Sequence, residues 1–190
     1  MAKRKILVVC GHPYGESFDH ACYEAYLEGL EKAQVEVESL DLGALKFDPV
    51  LRMGYSHRMP QDDEIDRSQE LIKWANQLVI FYPIWFSNMP SLLKGWLERT
   101  ITPKFAYNMK GLGTVKHLAG RSAEVFVSCD SPTIIYKLFR LPQWEIGNRL
   151  LSMAGIRIHG FHIFGSCHAK SDQQRRDYLD QLGRRAATLS

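Results

Sequence analysis

Continuous apolar runs and helical periodicities take turns along this chain. Ile6 to Cys10 (ILVVC) is unbroken and rich in β-branched residues, short enough for a strand covered on both faces, and Gly11 ends it. Ser17 is placed to cap a helix from Phe18 to Ala33, where Ala21, Ala25, Leu27 and Leu30 recur near helical spacing. Val35 to Leu42 (VEVESLDL) alternates, as a strand does when one side is more exposed, and a loop with Phe47, Pro49 and Val50 follows. Glu64 to Gln77 predicts a helix that turns Ile65, Leu71, Ile72, Trp74 and Ala75 inward, and Leu78 to Tyr82 a buried strand. Pro90 suits the first turn of a helix carrying Leu92, Leu93, Trp96, Leu97 and Ile101. Ala123 to Cys129 predicts another strand, Pro142 to Ala154 a helix closed by Gly155, Ile156 to Phe164 the last strand and Asp172 to Thr188 the last helix.

Strand and helix thus alternate about five times, which calls for a mostly parallel sheet with right-handed crossovers and helices on both faces. A short, doubly wound order 2-1-3-4-5 fits, as a single domain over residues 1–190. In such sheets ligands bind outside the carboxyl ends of the strands, at the switch between first and third. Residues 11–19, 83–90 and 128–136 converge there.

Composition narrows the class. The chain has 45% hydrophobic and 24% charged residues and no low-complexity tract, so disorder is set aside. The formal charge of +3 is small and its basic residues are scattered, which argues against nucleic acid as a partner. Cys10, Cys22, Cys129 and Cys167 show no metal-ligand spacing. No apolar stretch reaches the roughly 20 residues of a membrane span, and no signal-type apolar segment precedes the first strand. The expectation is a soluble, reduced, cytoplasmic protein.

Each converging loop has its own chemistry. GHPYGESFDH links strand to helix with Gly11, Gly15, the Ser17 hydroxyl and the amides of a helix start, where an anion binds well, and His12 can add a hydrogen bond or a charge. It contains neither GK[ST] nor GxGxxG, and a plain capped turn with a surface histidine is the alternative. In FYPIWFSNMP, Pro83 and Pro90 restrict the backbone on either side of Trp85, Phe86, Ser87 and Asn88. These aromatics form either a shelf for a flat ring or core filler after a buried strand. In VSCDSPTIIY, Ser128, Asp130 and Ser131 offer polar atoms near a strand end, and Tyr136 either returns a phenol to the site or packs structurally. His159 and His162, three apart on a predicted strand, are expected on opposite faces, and Cys167 beside His168 lacks a third, orienting group.

Several longer motifs stand around these loops: GHP and SF within residues 11–18, DL and FDPV within 41–50, LIKWANQLVIFYPIWF, MPSLLKGWLERT, FAY at 105–107, and AGI with a glycine nine residues after it. In them the chain resembles the flavodoxin-like NAD(P)H:quinone oxidoreductase family, which includes the mammalian quinone reductases and the potassium-efflux ancillary proteins. The resemblance implies a flavodoxin-like fold and a homodimeric flavoenzyme that takes hydride from NAD(P)H onto the flavin and passes two electrons to a quinone-like acceptor in ping-pong fashion.

By position, His12, Ser17, Phe18 and Asp19 would hold the phosphate end. Pro83, Ile84, Trp85 and Phe86 would run beneath the ring with their amides facing it, and Ser128, Cys129, Asp130, Ser131 and Tyr136 would edge its pyrimidine side. Tyr107 of FAY would lean over the acceptor site from the neighbouring subunit. Tyr107 and Tyr136 are the residues given to the reaction, the first stacking on nicotinamide or acceptor and the second stabilising reduced flavin.

The chain also departs from the family pattern. SCDS replaces a glycine-rich third loop, Leu141 and Pro142 stand where some members carry a histidine that would serve a proton relay, and Asp19 replaces an asparagine. FMN is expected, with FAD left open, because the region that embraces adenine is reduced to one helix. A second reading, an ancillary subunit touching a membrane transporter, shares the same fold. A one-electron carrier is disfavoured by the slightly basic charge.

Overall fold

A computed structural model describes residues 3–57, 59–111, 113–139, 146 and 150–190. The first apolar run forms β1 (Arg4–Cys10), followed by α1 (Phe18–Leu30), β2 (Val35–Asp41), α2 (Asp63–Trp74), β3 (Gln77–Pro83) and α3 (Ser91–Thr100). A small hairpin, β4 (Tyr107–Lys110) and β5 (Gly113–Lys116), precedes β6 (Ser122–Ser128), α4 (Thr133–Phe139), β7 (Arg157–Phe164) and α5 (Asp172–Ala187). The main sheet runs β2-β1-β3-β6-β7, with every pairing parallel. Counting only its own strands, this is the predicted order 2-1-3-4-5.

The unbroken apolar runs follow from burial on two sides. Leu7, Val9, Leu78 and Ile80 face one core with Ile72, Leu93, Trp96 and Leu97, whereas Ile6, Val8, Val79 and Phe81 face a second with Tyr23, Tyr26 and Leu182. Each such side chain contributes about 1.5–3 kcal/mol relative to exposure, so the two central strands anchor the carboxyl edge from which the loops project. In the second core, α1 and α5 approach so closely at Gly29 that a Cβ there would lie 2.3 Å from the carbonyl oxygen of Gly183.

Three departures from the predicted pattern have local causes. The hairpin β4–β5 was not foreseen, since its strands are mostly exposed and carry too little alternation. The third loop is shorter than expected, because Thr133 to Phe139 form α4 and place Tyr136 on a helix. The predicted helix from Pro142 lies mostly outside the described residues, though its end is as expected, with Ser152–Ala154 helical and Gly155 left-handed at φ 93°.

The third departure corrects the two histidines. The pairing of β6 with β7 passes from Ala123↔Ile158 to Glu124↔Gly160, which leaves His159 as the extra residue of a β-bulge. The bulge cancels the alternation, so His159 and His162 both reach the buried Glu124, at 3.9 and 2.8 Å. Arg185 of α5 completes the ion cluster around that carboxylate. A Cβ at residue 160 would meet His162 Nε2 at 2.9 Å and Glu124 Oε1 at 3.0 Å, which explains the glycine. Among the described residues no helix is long and apolar enough to cross a membrane.

Candidate active site

Neighbouring strands β1, β3 and β6 end together, and the loops that follow them are stitched at their first residues. Gly11 N–H donates to the Phe81 carbonyl at 2.7 Å and Ile84 N–H to the Ser128 carbonyl at 2.8 Å. The side chain of Leu93 stands where a Cβ on Gly11 would point, 2.9 Å away, so the first loop must start with glycine to lie this close to α3. The convergence expected at the switch point is therefore present.

In the first loop, Ser17 caps α1 by accepting from His20 N–H at 3.1 Å, and its own O–H remains to donate. His12 Nδ1 accepts from Tyr14 N–H at 3.0 Å, an arrangement that assigns the neutral ring's proton to Nε2. Burial holds this imidazole below its ordinary value, so at neutral pH it is an N–H donor without charge. Its ring meets Trp85 edge-on, with centroids 5.3 Å apart, and so joins the first loop to the second. The ring of Phe18 turns into the second core, 5.1 Å from Phe164, leaving its backbone amide as what it can offer a ligand.

Asp19 and Ser128 are not arranged as two independent ligand contacts. Asp19 is 5% exposed and its Oδ2 accepts from Ser128 Oγ at 2.6 Å. Burial pushes this carboxyl up to about 6, with the hydrogen bonds from Ser128 opposing the rise. No spacing in the sequence signals a contact between residues 109 positions apart.

The second loop is a tight hairpin turn. Trp85 N–H donates to the Asn88 carbonyl at 2.8 Å and Asn88 N–H to that of Trp85 at 2.9 Å, with Phe86 and Ser87 between them at φ 48° and 62°. Two successive positive φ values are the mark of a type I′ turn, which ordinarily takes Asn-Gly, and a non-glycine residue held there costs on the order of 1–3 kcal/mol. This corrects the expectation that all four amides face a ring: Pro83 has none, Ile84 and Trp85 are committed, and Phe86 and Ser87 carry those left to a ligand. The turn also holds Phe86 fully exposed and Trp85 43% exposed, which decides against core filler.

The third loop is bound to the segment after β7. Cys129 N–H donates to the Phe164 carbonyl, Cys167 N–H to that of Cys129 and Ser166 N–H to that of Ser131. The Cys129 thiol is buried, donates to the Ser131 carbonyl and is pushed up to about 11 by burial. Burial likewise raises Cys167, and His168 pairs with Asp130 at 3.2 Å, an arrangement that disfavours a thiolate at Cys167 and turns His168 to another partner. Tyr136 is buried in the first core. Tyr107 opens the hairpin, half-buried and outside the three loops. Beside that hairpin a separate cleft of about 610 Å³ is lined by Tyr55, Asp62, Gln69, Arg99 and Phe105 among others.

Amides and a hydroxyl at the start of a helix, next to two exposed rings with unpaired N–H groups, suit a flat ring carrying a phosphate. Among the described residues no cluster could hold a metal ion. An open parallel sheet with such loops converging at its switch point defines a flavodoxin-like protein. The chain belongs to that family, whose model, described as the flavodoxin-like fold, matches residues 4–186.

An uncharacterized NAD(P)H oxidoreductase of Haemophilus influenzae is 26% identical over 185 residues, 92% of this chain and 90% of that protein. NAD(P)H dehydrogenase (quinone) 1 of Cavia porcellus is 25% identical over 183 residues, 83% of this chain and 66% of that enzyme. Among solved structures, the NAD(P)H:quinone oxidoreductase from Methanothermobacter marburgensis superposes with a TM-score of 0.80 at 26% identity, covering 98% of this chain and 96% of that one.

Proposed function

We propose that the protein is an NAD(P)H:quinone oxidoreductase that works with a bound flavin, FMN rather than FAD. The observation that carries this is the strained Trp85–Asn88 turn, which holds two exposed rings and two unpaired amides beside the capped start of α1. Names of relatives that span nearly the whole chain support the same reaction. The flavin, when bound, supplies a two-electron relay between NAD(P)H and the acceptor.

The chain's own residues do the rest. Ser17 O–H, His12 Nε2–H and the first amides of α1 bind the phosphate. Trp85 and Phe86 would cover a bound ring and exclude water, while the N–H groups of Phe86 and Ser87 would offer hydrogen bonds to its polar atoms. Asp130 and Ser131 border the pyrimidine side, and buried Cys129 and Tyr136 shape that wall from behind. Tyr107 reaches the acceptor site of a second copy in a homodimer. The four free cysteines suit a reducing, cytoplasmic setting.

Steady-state rates with NADPH and menadione both varied test the scheme. Parallel double-reciprocal lines, with a rate that depends on added FMN in flavin-stripped protein, are expected. Intersecting lines would overturn the ping-pong order, and a rate indifferent to flavin would overturn the function.

A further inference from the structure

A buried carboxylate sits directly behind the phosphate loop. Asp19 lies in the first turn of α1, two residues after the Ser17 cap, yet its side chain points inward onto Ser128. The Ser128 carbonyl in turn holds Ile84 N–H at the start of the ring shelf, so Asp19 and Ser128 form a tie between the first and second loops.

The groups that feel the Asp19 charge are Cys10 at the end of β1, Cys22 on α1, Cys129 after β6, Cys167 after β7 and Tyr178 on α5. None of them is a cation. The carboxylate is held by the Ser128 hydroxyl, by backbone amides and by the positive end of α1. An anionic phosphate settling on the loop claims that same helix end and adds a like charge near a carboxylate that, among the described residues, forms no ion pair of its own.

We propose that Asp19 is a positioning residue that matches charge at this site: it takes one proton from solvent when a dianionic flavin phosphate binds, while its tie to Ser128 keeps the phosphate loop and ring shelf in register. This rests on the reading of the protein as a flavoprotein. The proton comes from buffer and stays on the Asp19 carboxyl, so the site gains one negative charge on binding a dianion instead of two. Burial has already brought that carboxyl close to neutral pH, so a nearby phosphate need only complete the shift.

The test is calorimetry of FMN binding to the full, flavin-stripped chain at pH 7, in two buffers of different ionisation enthalpy. Uptake near one proton per FMN is expected, and none with riboflavin, which lacks the phosphate. D19N should bind FMN with no uptake, while H12Q, which binds FMN more weakly, should still take up about one proton per FMN bound at saturation, because His12 is the other group a phosphate would protonate. Between pH 7 and 8 the wild-type affinity for FMN should fall by up to tenfold, and that of D19N should stay level. Uptake that persists in D19N, disappears in H12Q, or accompanies riboflavin equally would overturn the assignment. Failure of wild-type protein to bind either FMN or riboflavin at any pH would remove the flavoprotein reading itself, and this inference with it.

Discussion

Asp19 and Glu124 are both buried carboxylates, and their surroundings push them in opposite directions. Burial raises Asp19 from the ordinary 3.8 to about 6, so the folded chain binds this proton more readily than the unfolded one. The associated stability is fully present below the unfolded value of 3.8, declines as pH rises toward about 6, and is lost above. Burial also tends to raise Glu124, but the bonds from His162 and Arg185 outweigh it and hold its carboxyl below the ordinary 4.5. Its contribution is present at neutral pH and is lost as pH falls through that lowered value.

D19N should therefore stabilise the flavin-free protein at pH 8 by up to about 3 kcal/mol, the equivalent of the Asp19 shift, and change little at pH 4. Urea unfolding at the two pH values checks this, and a variant equally destabilised at both would contradict it. The sequence marks Asp19 only as a departure from the family pattern, and the structure turns its side chain inward onto Ser128. That inward turn was invisible beforehand because no local pattern encodes a contact between α1 and the end of β6.

At the scale of elements, legibility tracked burial and period. The runs ILVVC and LVIFY announced β1 and β3 because both faces of each are covered, and Ser17 announced the start of α1 because a serine cap is a local device. The bulge at His159 depended on the partner strand, so period-2 reasoning sent the two histidines to opposite faces. The Trp85–Asn88 turn was legible as a proline-bounded aromatic segment, whereas its type I′ character was not, since Phe-Ser is a poor sequence for it. Which amides remained for a ligand could only follow from that geometry.

The crossing of α1 and α5 is likewise tertiary. Alanine at residue 29 would gain up to about 1 kcal/mol in helix propensity but must displace the Gly183 backbone, and overpacking of that kind costs about 1–3 kcal/mol. G29A should lower the thermal midpoint, while G15A, with open space at its Cβ, serves as the comparison. A G29A variant more stable than the parent would show that the two helices separate freely.

Over the whole molecule, the alternation of elements was enough to give the sheet order and hence the crevice, because right-handed crossovers leave few ways to wind five parallel strands. Everything assigned to the site then hangs on the carboxyl edge of β1, β3 and β6. Tyr107 marks the limit of a single chain: it stands in the β4–β5 hairpin, and its proposed role needs a second copy. On the reading proposed above, the Trp85–Asn88 turn and the start of α1 hold a flavin that shuttles electrons. Anaerobic absorbance spectroscopy of the FMN-loaded protein tests it most directly. One equivalent of NADPH should bleach the yellow absorbance and one equivalent of menadione should restore it; protein that takes up neither FMN nor FAD, or a bound flavin that NADPH and NADH leave oxidised, would contradict the account.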